Sequence, residues 1–220
     1  MTATATTTKL EVRDILARLQ EVAGENATGA AAVVIGLTIA NLLIDQLPTM
    51  TQSGTNLLAG LISLAGQYYL TINALELLDA RPVVRPRFGA LWGMGIVSGL
   101  GIVLGLVLLI LPGLYLMVRW AIAAPVMIAE DLKVSDALGR SWQLTRPNAG
   151  PILGAMLVIF VPAILIGGGS ALLLTEGQPL LAMAILYLCL FGALALSWLA
   201  AVATYSLVMP THGDLVEVFA

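Results

Sequence analysis

The sequence predicts an all-α polytopic membrane protein with six transmembrane helices and two interfacial amphipathic helices. Of the 220 residues, 59% are apolar and only 10% are charged, whereas soluble domains carry about 25% charged residues. The apolar residues form uncharged runs close to the length of about 20 residues that a helix needs to cross a bilayer. The predicted spans are 28–47, 56–78, 89–111, 113–129, 151–173 and 180–209.

The distribution of Lys and Arg predicts the orientation of these spans. Basic residues precede the first span and lie in the second-to-third and fourth-to-fifth connections: Lys9, Arg13, Arg18, Arg81, Arg85, Arg87, Lys133, Arg140 and Arg146. The other connections carry none, and the tenth basic residue of the chain, Arg119, lies inside the fourth span. Because basic connections stay in the cytoplasm, both termini are predicted to be cytoplasmic.

Residues 1–27 are predicted to form a cytoplasmic tail with an amphipathic helix, 28–209 the six-span membrane domain, and 210–220 a second cytoplasmic tail. The first residues are a Thr/Ala tract that is typical of disorder. The stretch Thr8–Glu11 fits a capping box. Apolar residues then recur at helical spacing through 9–23. This helix is expected on the membrane or on partner helices, or alternatively as a solvated helix packed on the protein's own loops.

A second amphipathic helix is predicted at 134–146, between the fourth and fifth spans. Ser135 can cap its start, and Pro147 ends it. Trp142 lies on its apolar face and is expected at headgroup level. Asp136 and Arg140 are spaced to form an ion pair on the polar face. The alternative is a cytoplasmic helix docked on Glu130 and on the basic connection before the third span.

Glycine and proline mark the third and fourth spans. Gly95, Gly99, Gly101 and Gly105 provide pairs of small residues four apart, which let helices approach closely in lipid. The Pro112-Gly113 pair leaves little room for a loop, so the two spans should form a tight hairpin. Pro125 lies inside the fourth span and is expected to kink it.

Arg119 is the most unusual residue of the membrane domain. It lies six residues into the fourth span, or about 9 Å below the outer edge, where an unpaired Arg costs roughly 2.5–3.5 kcal/mol. Asn41 is expected at the same depth, and Asp45 one turn nearer the surface. Three interpretations stay open: a structural Arg119–Asp45 pair, snorkelling to lipid headgroups, and contact with a substrate or an ion.

No pattern typical of an enzyme is found, so no catalytic, cofactor-binding or metal-binding residue is predicted. The one His, His212, lies in the C-terminal tail, and the one Cys, Cys189, lies in an apolar run. The net charge of −3 gives no basic field for nucleic acid. The expected partners are membrane lipids, and either other membrane proteins or further copies of the chain.

Two function classes remain. The preferred one is a non-catalytic protein that binds lipid or organises the membrane. The alternative is a small transporter or channel for an anionic or lipid-like solute, since polar residues of the second span could line a cavity with Asn41 and Arg119. The structural or ligand candidates are Arg119, Asp45, Asn41, Gln67, Glu76, Glu130, Arg140 and Trp142.

Two neighbouring segments resemble a known family. The segments PGLYLMVRWAIAAPVMIAE and ALGRSWQLTRPN are similar to the membrane domain associated with some bacterial glycerophosphoryl diester phosphodiesterases. The resemblance rests on Pro112-Gly113, Arg119, Pro125, Glu130 and the run 137–145. It implies an inner-membrane protein. Some members carry a soluble catalytic domain after the spans, which this chain is expected to lack because it ends soon after Met209.

Overall fold

The computed structural model describes residues 9–46, 51–78 and 88–209, and every element in these ranges is helical. The α-helices are α1 (Val12–Glu25), α2 (Ala27–Ile44), α3 (Gln52–Leu77), α4 (Phe88–Leu108), α5 (Ile110–Arg119), α6 (Ala123–Ala129), α7 (Val134–Thr145), α8 (Ala149–Gly169), α9 (Leu172–Thr175) and α10 (Pro179–Val208). One 3-10 turn, Arg146–Asn148, joins α7 to α8. Thr8, the basic connection 81–87 and the tail with His212 lie outside the described residues.

The predicted all-helical membrane class is confirmed. Four stretches of the described residues are long and apolar enough to cross a bilayer: Ala27–Ile44, Leu111–Ala129, Val134–Leu174 and Pro179–Val208. A shorter apolar helix covers Gly89–Gly105. The expected second span is also a helix, α3, of 26 residues.

The largest buried core lies where α3, α4, α6 and α10 meet. It includes Leu70 and Leu75 of α3, Met94 of α4, Met127 of α6 and Leu199 of α10. Within α6, every residue from Ala123 to Ile128 is buried. This short helix therefore fills the centre of the bundle.

Helix α1 packs on the protein's own long helices. Its apolar residues Ile15, Leu19 and Val22 are buried, and its main neighbours are α8 and α10. Arg18 Nε donates a hydrogen bond of 3.3 Å to Ser206 Oγ on α10. A Cβ atom added at Gly154 of α8 would lie 2.7 Å from Val12 Cγ2. Partner helices therefore cover the apolar face of α1, and they belong to the same chain.

The start of α1 differs from the expected capping box. Glu11 is the N-cap, and its N–H donates to Asp14 Oδ2 at 2.8 Å. The box is thus Glu11–Asp14, three residues later than expected, and it satisfies an amide left free at the helix start. The preceding residue, Leu10, donates its N–H to Asn148 Oδ1 at 2.9 Å, which ties α1 to the beginning of α8.

Helices α4 and α5 form the expected tight hairpin, but the turn is earlier than expected. It consists of Leu109, whose backbone is extended with φ −161° and ψ 133°. Pro112 and Gly113 lie in the first turn of α5, where the missing proline N–H costs nothing because the first amides of a helix have no partner. A Cβ added at Gly105 would lie 2.9 Å from backbone atoms of Gly113. The two backbones therefore touch at this point.

The expected fourth span is interrupted rather than kinked. Helix α5 ends at Arg119 after 10 residues, and α6 begins at Ala123 and runs for only 7. Pro125 explains the break, because it donates no hydrogen bond to the carbonyl of Ala121 and its ring collides with that group in a continuous helix. The interruption sets where Arg119 lies.

Candidate functional site

Arg119 is the last residue of α5, and neighbouring helices hold its backbone in place. Ser141 Oγ donates a hydrogen bond of 2.8 Å to the Arg119 carbonyl, and Thr145 Oγ1 lies 3.2 Å from the same oxygen. Val118, the preceding residue, packs in a cluster with Ile152 of α8. Arg119 therefore lies where α7 ends and α8 begins.

Two aromatic rings enclose the Arg119 side chain, and we call Arg119, Tyr115 and Trp142 the arginine cage. The guanidinium Cζ is 4.7 Å from the Tyr115 ring centroid and 5.4 Å from the Trp142 ring. The two rings meet edge to face, with centroids 5.5 Å apart. Nη2 also donates a hydrogen bond of 2.8 Å to the Tyr115 hydroxyl. Cation–π contacts of this kind contribute about 2 kcal/mol or more when desolvated.

The cage leaves part of the guanidinium unsatisfied. The residue is only 6% exposed, and its Nε and Nη1 atoms are buried without a hydrogen-bond partner among the described residues. Arginine remains charged in proteins and carries five N–H donors. An unpartnered buried polar group costs about 1–3 kcal/mol, and a charged one costs more. The arrangement is therefore suited to receive an anion.

Of the three interpretations of Arg119, the pair with Asp45 does not form in the described structure. Asp45 follows the end of α2 and accepts a hydrogen bond of 2.5 Å from the Tyr187 hydroxyl of α10. Helix α2 packs mainly on α3 and α10, whereas α5 packs on α4, α7 and α8. The physical reason is the interruption after α5, which places Arg119 beside the beginning of α8 and not beside the end of α2.

Glu130 and Arg140 join three helices. Arg140 Nε lies 3.4 Å from Glu130 Oε2, and the Tyr205 hydroxyl of α10 donates to Glu130 Oε1 at 3.4 Å. This contact, rather than the expected pair with Asp136, is the ion pair of Arg140. Helix α7 also begins one residue before Ser135, with Lys133 as its N-cap. The alternative in which this helix docks on Glu130 therefore describes its contacts better.

The other polar candidates are dispersed. Asn41 is buried, but its Nδ2 donates to the Leu37 carbonyl of its own helix at 2.8 Å. Gln67 is half-buried and Glu76 is exposed on α3. Within the described ranges, no three His, Cys, Asp or Glu side chains converge to hold a metal ion.

Tyr115 is the part of the cage that the sequence analysis missed. It precedes Arg119 by four residues, so the two side chains lie on the same face of α5. The four-residue spacing alone therefore indicates a contact between Tyr115 and Arg119. The role of Ser141 depends on how α7 folds back onto the end of α5, and no local pattern reveals that contact.

Long apolar helices with a buried arginine among them define an integral membrane protein. The family described as the membrane domain of glycerophosphoryl diester phosphodiesterase matches residues 96–212, more than half of the chain. The protein belongs to this family, and the match covers the membrane domain but not a catalytic domain. No curated protein and no solved structure matches the chain.

Proposed function

We propose that this chain is a non-catalytic, lipid-binding protein of the bacterial inner membrane with both termini in the cytoplasm. In this proposal α2, α8, α10 and the 26-residue α3 cross the bilayer. The apolar stretch Leu111–Ala129 does not cross as one span, because it is divided between α5 and α6. The α4–α5 hairpin enters from the cytoplasmic side, turns at Leu109 inside the membrane and returns. The main observation behind the proposal is that α5 is much shorter than α8, a helix on which it packs.

The lengths of the two helices support a hairpin that stops part-way. Val118, near the end of α5, packs with Ile152 and Ala155 near the beginning of α8. From Val118 back to Ile110, α5 extends about 12 Å, whereas α8 continues for about 21 Å from Ala155 to its end at Gly169. The tip therefore falls about 9 Å short of the far end of α8, even if the two helices run side by side.

A hairpin of this kind leaves an apolar space that lipid acyl chains can fill. The apolar side chains at its tip are among the most exposed of the protein, including Val107 at 78%, Leu109 at 68% and Leu111 at 79%. Ile164 and Leu165 on the distal half of α8 are exposed as well. Acyl chains between the hairpin tip and the distal half of α8 would cover both apolar surfaces, because contact of these surfaces with water would be unfavourable.

The proposal keeps the expected orientation while it lowers the number of crossings from six to four. A hairpin that enters and leaves on one side does not change the side of any connection that follows it. The basic residues at the three cytoplasmic connections therefore stay together. The family match to a membrane domain alone is consistent with a role that does not include catalysis.

Lipid retention tests this function. The protein is extracted in a mild detergent, purified by size exclusion and examined by native mass spectrometry. We expect at least one phospholipid to remain bound per chain. A folded protein, as judged by its helical circular dichroism, that retains no phospholipid would contradict the proposal.

A further inference from the structure

We infer that the arginine cage binds the phosphate group of an anionic lipid headgroup in the cytoplasmic leaflet. The inference rests on the proposed lipid binding and identifies the site and the chemical class of the ligand. Three independent features lead to it: the charge balance around Arg119, the free donors of its guanidinium, and the position of the cage at the beginning of α8.

The charge balance around Arg119 favours an anion from outside the described part of the chain. Arg119 is buried and charged, yet its guanidinium donates to a neutral hydroxyl, that of Tyr115. The carboxylate of Glu130 contacts Arg140, and that of Asp45 contacts Tyr187. A buried charge that lacks an opposite charge is strongly unfavourable. An external anion would remove this penalty.

The free donors match a phosphate group. The two aromatic rings occupy positions over the guanidinium, while Nε and Nη1 have no hydrogen-bond partner in the part of the chain that the structure describes. Phosphate oxygens accept strong, charge-assisted hydrogen bonds from guanidinium N–H groups. The Tyr115 hydroxyl accepts from Nη2, so its own proton is available to a further phosphate oxygen.

The position of the cage matches the level of headgroups. The carbonyl of Arg119 is bonded by Ser141 of α7, and its neighbour Val118 packs at the first turns of α8. Tyr and Trp, the two other residues of the cage, are enriched at this depth in membrane proteins. Tyr115 is 45% exposed, so this side of the cage lies at the surface, where a headgroup can approach.

Ligand-dependent stability separates the possible sources of the anion. Delipidated full-length protein in detergent is melted with dioctanoyl phosphatidylglycerol, with inorganic phosphate or with dioctanoylglycerol. We expect phosphatidylglycerol to raise the Tm by several degrees and the two others to leave it unchanged. Equal stabilisation by inorganic phosphate would overturn the assignment to a lipid. Equal stabilisation by dioctanoylglycerol, which has no phosphate, would overturn the assignment to a headgroup.

Arg119→Met locates the site, with Arg146→Met as its matched control. Both variants remove one arginine near the α7–α8 junction, but Arg146 is exposed. Hydrogen bonds to charged groups predict a roughly tenfold to hundredfold weaker apparent Kd for phosphatidylglycerol in Arg119→Met. The control should bind like the native protein. The melting temperature without lipid should not fall in Arg119→Met, because Met fills the cage without a charge.

The outcomes of these measurements distinguish the site from the function. Unchanged affinity in Arg119→Met would overturn the cage as the binding site and leave lipid binding elsewhere intact. Absence of any bound lipid in the native protein would instead remove the proposed function itself. If Arg119→Met does not fold, Arg119→Lys and Tyr115→Phe are tested as single variants. Arg119→Lys keeps the charge but not the planar guanidinium. Unchanged affinity for phosphatidylglycerol in both variants would overturn the inference.

Discussion

Replacement of Gly105 by alanine tests whether α4 and α5 are held together by direct backbone contact. The new Cβ would lie 2.9 Å from both the Cα and the N of Gly113, and 3.3 Å from Leu116 Cδ1. Backbone atoms, unlike the end of a side chain, cannot move away unless the helices separate. Gly99 lies on the same helix with nothing within 4 Å of an added Cβ, so Gly99→Ala is the matched control.

The expected magnitude follows from two opposing effects. Alanine is favoured over glycine in a helix by about 1 kcal/mol, so Gly99→Ala should stabilise the protein by up to that amount. Gly105→Ala has the same gain, but overpacking typically costs about 1–3 kcal/mol. The difference between the variants isolates the steric cost. Gly101→Ala should be intermediate, because its Cβ would meet the outer ring atoms of Trp120 at 2.7 Å, and that side chain can rotate.

Unfolding in mixed micelles with increasing SDS, followed by helical circular dichroism, measures this difference. We expect Gly105→Ala to be less stable than Gly99→Ala by roughly 1–3 kcal/mol. Equal stability of the two variants would refute the close contact at the hairpin and the position of the turn at Leu109.

Two further predictions concern the contact between Asp45 and Tyr187 and the packing of α1 on α8 and α10. Asp45→Asn and Tyr187→Phe should show a coupling of about 1 kcal/mol in a double-mutant cycle, whereas Asp45→Asn and Arg119→Leu should be additive; coupling in the second cycle would restore the original pair. Val22→Glu places a charge at a position that is 1% exposed and should cost at least about 3 kcal/mol, whereas Gln20→Glu on the exposed face of α1 should have no measurable effect. Equal thermal stability of these two variants would show that α8 and α10 do not cover α1.

Composition and periodicity predicted much of the fold because each helix carries its own signal. The spans expected at 28–47, 151–173 and 180–209 correspond to α2, α8 and α10 with ends shifted by a few residues. The helices expected at 9–23 and 134–146 are present as α1 and α7. In each case an uncharged run or an apolar stripe is a local property, so it can be recognised without knowledge of neighbouring helices.

The partner of Arg119 could not be predicted in the same way. The predicted depth of Arg119 is counted from the outer end of one continuous helix from Gly113 to Ala129. Pro125 predicts a kink in that helix. The structure instead has a three-residue break, which separates α5 from α6 and lets α7 contact Arg119. The error in the predicted end of α5 therefore led to an error in the predicted contact between Arg119 and Asp45.

Only part of the arginine cage can be predicted from the sequence. Tyr115 and Arg119 share a helix face, which spacing alone establishes. Trp142 is predicted to be an interfacial residue, whereas its contact with Arg119 arises when α7 packs on α5. The ion pair of Arg140 shows the same limit, since Glu130 on another element competes with Asp136, the neighbour in sequence.

Accessibility of the hairpin tip tests the proposed membrane arrangement most directly. The variants Leu109→Cys, Gly177→Cys and Ser135→Cys are made singly in a Cys189→Ala background, and intact cells are treated with an impermeant charged maleimide before and after permeabilisation. We expect the Gly177→Cys variant to react from outside and the Ser135→Cys variant to react only after permeabilisation. The Leu109→Cys variant should react with neither treatment but with an apolar, membrane-permeant maleimide. If instead the Leu109→Cys variant reacts from outside at the rate of the Gly177→Cys variant, α4 and α5 cross the whole membrane, which would contradict the part-way hairpin on which the proposed lipid binding depends.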